Sequence, residues 1–199
     1  MNYKNKLNKL KQAAKNAINV TESNKQTYPV SLFWLKLSKS LMESGSYYLD
    51  EADLDSKLLE NIRNSIHLAH LNHVRMQYTF WSNSPIPERL ASIQQAAFTL
   101  KGFTTTILSI DHHLITGLTL IETLVQKPNS IKTQEYSDSL QISLNRIKKL
   151  ADFCPANFAH KHYLLEAEIL RLQEGSSWGA MPFYQQAIES AKEQGFLQY

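Results

Sequence analysis

Residues Ser139 to Tyr199 read SLQISLNRIKKLADFCPANFAHKHYLLEAEILRLQEGSSWGAMPFYQQAIESAKEQGFLQY. Phe158, His162, Leu165, Ile169 and Leu172 recur at alternating spacings of four and three, one stripe of an α-helix. Pro155 suits the start of that helix, because its fixed φ and missing N–H cost little in a first turn. Gly175-Ser176-Ser177 breaks the pattern. A second helix follows, with Pro182 in its opening turn and Met181, Tyr184, Ile188 and Ala191 expected on its packed face. Gly195 is placed to close it with a left-handed cap. Two helices with so short a link are antiparallel neighbours.

Small residues refine this hairpin. Gly175, Ala180, Tyr184 and Ala187 resemble the turn glycine and the second-helix Ala-x3-aromatic-x2-Ala of a tetratricopeptide-like repeat. The first helix offers Leu164 and Ala167 but lacks that repeat's Trp and its Gly-x2-Tyr. Phe153-Cys154-Pro155-Ala156-Asn157-Phe158-Ala159-His160-Lys161, followed by Leu164-Leu165-Glu166-Ala167-Glu168, resembles a run in large bacterial multidomain signalling proteins. Ala180-Met181, Tyr184, Gln186-Ala187-Ile188 and Gly195-Phe196 continue the likeness. In that family a helical-repeat region follows a P-loop ATPase module, often between a serine/threonine kinase domain and sensor and histidine-kinase domains. The likeness covers residues 139–199 and implies a fragment, or a free-standing relative, of the repeat region.

The rest of the chain repeats the theme. Tyr3, Leu7, Leu10, Ala14 and Ala17 form a thin stripe ringed by Lys4, Lys6, Lys9, Lys11 and Lys15, a basic helix within residues 1–28. Val30, Phe33, Trp34, Leu37 and Leu41 mark the next helix, ending near Gly45. After an acidic turn at Asp50 to Asp55, a helix from about Leu54 to Trp81 carries Ile62, Ile66, Ala69, His73, Met76 and Phe80. Asn83-Ser84-Pro85-Ile86-Pro87 is a strong breaker. Leu90, Ile93, Ala97 and Leu100 follow as a stripe up to Gly102. Phe103, Ile107, Ile110, Leu114, Leu118, Ile121 and Val125 form the next, and Leu140, Leu144, Ile147 and Ala151 another. The expected fold is all-α, roughly seven or eight helices stacked as antiparallel pairs in a tetratricopeptide-like superhelix, one domain over residues 1–199.

Composition narrows the function classes. With 199 residues, 43% hydrophobic and 20% charged, the chain is built for a packed core rather than disorder. A net charge of +3 is too small to point to nucleic acid. The lone Cys154 excludes an internal disulfide and suits a reducing compartment. No secretory signal is legible, and Asp111, His112 and His113 interrupt the apolar run Phe103 to Val125, so it reads as a buried helix rather than a membrane span. The expected location is the cytoplasm.

Chemistry-bearing residues are sparse. His67, His70 and His73 fan across a helix face instead of converging, with no carboxylate or cysteine at ligand spacing. Asp111-His112-His113 matches a phosphoesterase triplet in letters, but that chemistry needs the triplet at a strand end. Cys154, with His160 and His162, lacks the spacing of a nucleophile and its base, and reads as packing. No catalytic residue, metal or cofactor is therefore assigned. The expected function is a non-catalytic protein–protein interaction module, binding a partner protein or a neighbouring signalling domain through a surface of Asn157, His160, Lys161, Glu166, Glu168 and Trp178. Trp34, Trp81 and Trp178 are the anchors to expect if exposed. The alternative is a small metal- or ligand-binding helical protein using His67/His70/His73, Asp111/His112/His113 or a buried aromatic pocket.

Overall fold

Pro155 does open a helix. Its preceding residue, Cys154, is forced into an extended conformation (φ −141°, ψ 76°) that ends the helix before it. A computed structural model describes residues 65–101, 107–175 and 178–196, together with the single residue Gln12. The fold is all-α, and every regular element among the described residues is a helix. In chain order they are α1 (Ser65–Trp81), α2 (Ile86–Leu100), α3 (Ile107–Gln126), α4 (Thr133–Phe153), α5 (Pro155–Glu174) and α6 (Met181–Glu193). The expected basic N-terminal helix, the helix at Val30 to Leu41, the acidic turn, Trp34 and Gly102 lie outside the described residues.

The chain divides into two compact units, Met1–Gly102 and Phe103–Tyr199. In the first, α1 packs against α2. The turn between them is closed by backbone chemistry. Asn83 takes a left-handed φ of 55°, a region that asparagine tolerates better than most residues. Its N–H donates to Phe80 O (3.1 Å) and that of Ser84 to Thr79 O (3.0 Å), the paired bonds of a Schellman ending. Pro85 caps α2, and a hydroxyl bond of 2.8 Å between Thr79 and Ser92 ties the two helices. The face of α2 centres on Arg89, Ile93, Ala96 and Leu100. Two expected members of the stripe, Leu90 and Ala97, flank it half-buried, while Ile66 of α1 is exposed.

In the second unit, α3 packs on α4, α4 on α5, α5 on α6, and α3 also on α5. The pairings fix direction. Glu168 meets Tyr184 and His160 meets Phe196, so position rises on α5 as it falls on the chain after it, and the hairpin is antiparallel. Asp111 meets Lys161 and Gly117 meets Leu165, so α3 and α5 run parallel. Gly117 is where they come closest: a Cβ there would sit 2.7 Å from Leu165 Cδ1. Leu165 is fully enclosed. Because α3 is covered by two helices, its burial reaches round to Ser109, His112, Thr116, Thr119 and Thr123, wider than the single stripe expected, whereas Val125 is exposed. Among the described residues no helix is long and apolar enough to cross a membrane.

The α5–α6 hairpin ends as the glycines require. Gly175 caps α5 at φ 63°, and Gly195 follows α6 at φ 75°. Gly195 N–H donates to Lys192 O (3.2 Å) and Phe196 N–H to Ala191 O (2.8 Å), a second Schellman ending. The packed face of α6 differs from the expected one. Met181 and Ile188 stand in solvent, 57% and 51% exposed, while Ala180, Ala187 and Ala191 are buried beside half-buried Tyr184. Alanine on the contact face lets two helix backbones approach, which larger side chains would prevent.

Candidate functional site

Three groups of polar residues converge on α5, and they differ in what they can do. The first is closed. Lys161 Nζ donates to Asp111 Oδ1 at 2.9 Å, and the two side chains are only 4% and 17% exposed. Burial lowers the lysine's pKa, and the aspartate opposes that shift without cancelling it. His160 next to it stacks on Phe196, ring centres 4.4 Å apart. Burial, then the charge of Lys161, pushes His160 down to about 4, against the pull of Asp111. His113, with Nδ1 3.4 Å from the Ser143 hydroxyl, falls to about 4 through burial, then His112 and Arg146. Both histidines are neutral near pH 7. His160 and Lys161 are thus internal to the α3–α5–α6 packing, and they do not offer the docking surface that their polarity suggested.

A second group joins α5 to α6. Glu168 Oε1 accepts from the Tyr184 hydroxyl at 2.7 Å, and Oε2 accepts from Arg171 Nε (2.9 Å) and Nη2 (2.6 Å). Bonding to Glu168 raises the arginine's pKa, and burial followed by the same carboxylate raises the tyrosine's. Glu168 is committed to the hairpin.

The third group opens to solvent. Glu166, Ile169, Leu170 and Gln173 lie at i, i+3, i+4 and i+7, one stripe of α5. Leu144 of α4 and Phe183 of α6 flank them, enclosing a groove of about 240 Å³. Glu166 Oε1 is 3.4 Å from His162 Nε2. Burial lowers the pKa of that histidine, opposed by Glu166 and Asp152 and assisted by Lys148. Of the remaining expected residues, Asn157 is exposed and donates to the Cys154 Sγ at 3.2 Å, and Trp178 is 87% exposed in the α5–α6 turn.

The other candidates do not assemble. His73 is buried, His67 half-buried and His70 exposed, three environments on one helix. Among the described residues no group of three or more His, Cys, Asp or Glu is placed to hold a metal ion. Asp111, His112 and His113 sit within α3. Sequence reasoning missed the groove's Leu144 and Phe183 as a pair, and the partnership of Asp111 with Lys161. An aspartate centred in an apolar run was the available signal, since such a residue needs a buried cation.

Fold and site together define an all-α protein with a carboxylate-bearing groove among the described residues. Comparison with protein-family models, with curated proteins and with solved structures finds no match to the chain.

Proposed function

We propose that this chain is a non-catalytic protein-binding module, a stack of tetratricopeptide-like helix pairs acting in the cytoplasm in bacterial signalling. The arrangement of α3 to α6 carries the reading: each helix packs on the next, and the first helix of one pair runs parallel against the first of the following pair. Stacked repeats present surfaces in this way, because a single pair cannot bury its own apolar face. Small residues stand at the contacts (Gly117, Ala167, Ala180, Ala187), and Ile142, Trp178, Met181 and Ile188 stand exposed. Exposed apolar side chains are features on which partners anchor. The resemblance of residues 139–199 to the repeat region of multidomain signalling proteins supports the signalling context, with catalysis belonging to other domains or chains.

The test is site-specific photo-crosslinking in the source cells, with a benzophenone amino acid at Ile142, Trp178, Met181 or Ile188 and, as control, at Lys148. A protein adduct of one discrete mass from the apolar positions, absent at Lys148, is expected. No adduct at any of the four positions would overturn the reading.

A further inference from the structure

Resting on that protein-binding reading, we propose that the groove between α4, α5 and α6 is the socket for an arginine side chain presented by the partner. Size makes the first selection. Pockets that hold drug-sized ligands and cofactors run to about 300–1,000 Å³, and this groove encloses about 240 Å³, room for one long side chain. Its length agrees: seven residues of helix separate Glu166 from Gln173, about 10 Å at 1.5 Å per residue.

Lining chemistry makes the second selection. Leu144, Ile169, Leu170 and Phe183 form an apolar trough suited to a methylene stem, with a carboxylate at one end and an amide at the other. Among the described residues, the one ion-pair contact of Glu166 is to His162 through Oε1. Burial disfavours protonation of that histidine, against the pull of Glu166 itself. The contact of Glu166 uses Oε1 alone, whereas Glu168, two residues on, already binds Arg171 and Tyr184. A partner's cation completes the site. Arginine fits better than lysine, since its planar guanidinium bonds a carboxylate with two parallel N–H donors and stacks on an aromatic face such as that of Phe183. Arginine is also among the residues most often found as interface anchors.

The experiment uses the full ¹⁵N-labelled chain, titrated to 20 mM with N-acetyl-arginine amide, N-acetyl-lysine amide or N-acetyl-norleucine amide. The arginine compound should give saturable shifts grouped on the amides of Leu144, Glu166, Ile169, Leu170, Gln173 and Phe183. Lysine should bind more weakly and norleucine at least 10-fold more weakly. Glu166→Gln keeps the side chain's shape, so its spectrum reports folding directly, and it should weaken arginine binding at least 10-fold. Equal shifts from norleucine, shifts centred elsewhere, or none at 20 mM would overturn the proposal. Crosslinking in the Glu166→Gln background separates the two ideas. Adducts of unchanged yield would sink the arginine anchor and leave protein binding standing. Absence of adducts in the unsubstituted chain would sink protein binding, and the titration then judges the socket by itself.

Discussion

Replacing Asp111 by Leu should destabilise the protein far more than replacing Asp111 and Lys161 together. At 2.9 Å the two charges attract by about 6 kcal/mol with an effective dielectric constant of 20. That gross attraction is set against the cost of taking both groups out of water. The lowered pKa of Lys161 shows which is larger for the lysine, because burial outweighs the aspartate's pull. Such a pair gains little over apolar side chains of similar size, yet removing one partner strands the other, at about 3–5 kcal/mol. Asp111→Leu removes the carboxylate that Lys161 Nζ bonds inside the α3–α5 packing and should cost that much. Lys161→Met leaves the more exposed Asp111, which water can reach, and should cost roughly half as much. The double variant should return to within about 1 kcal/mol of the parent. Urea unfolding at pH 7, with the slope m held common, measures all four proteins. A double variant destabilised by the sum of the two single effects would refute the reasoning, since the pair would then not be interacting.

Other perturbations probe different links. Gly117→Ala should destabilise by roughly 1–2 kcal/mol through the 2.7 Å encounter with Leu165, despite alanine's better helix propensity; in a Leu165→Ala background it should turn stabilising by up to about 1 kcal/mol. His113 and His160 have folded-state pKa values of about 4 against an ordinary 6.5. The unfolded chain thus takes up protons below pH 6.5 that the folded one refuses until about pH 4, so stability is full above 6.5 and falls as pH drops through that window. Between pH 7 and 5 the loss should be roughly 2 kcal/mol from each histidine, about 4 in all, read from urea midpoints, and a constant midpoint would contradict it. Trp178→Ser should leave stability within about 0.5 kcal/mol, as for any side chain in solvent, while abolishing or weakening crosslinks that depend on that turn.

Much of the fold was legible because its boundaries are written in local chemistry. Pro155 opens α5, Gly175 and Gly195 adopt the left-handed conformations that their positions require, and the Asn83–Pro87 breaker separates α1 from α2. The packed face of α6 was misread for a physical reason. Ranking side chains by hydrophobicity adds Met181 and Ile188 to that face, whereas a close helix contact selects the smallest residues, Ala180 and Ala187 beside the expected Ala191. His160 and Lys161 were placed on a surface because polarity along one helix says nothing about a partner 50 residues away in sequence. Glu166 was named without its groove, since Leu144 and Phe183 join it only once three helices have packed.

The contact pattern of the second unit also bears on how it forms. Each helix touches its neighbour in sequence, and the main longer-range contact, α3 with α5, skips a single helix. Loops that must close before native contacts appear are therefore short, a topology associated with fast folding. Within this unit α5 touches all three other helices, which makes it the expected centre of the folding nucleus. Substitutions at Leu165 should accordingly slow folding, and those at Ala191, on the terminal helix α6, should mainly speed unfolding. The segment that carries the groove is then also the one around which the rest assembles.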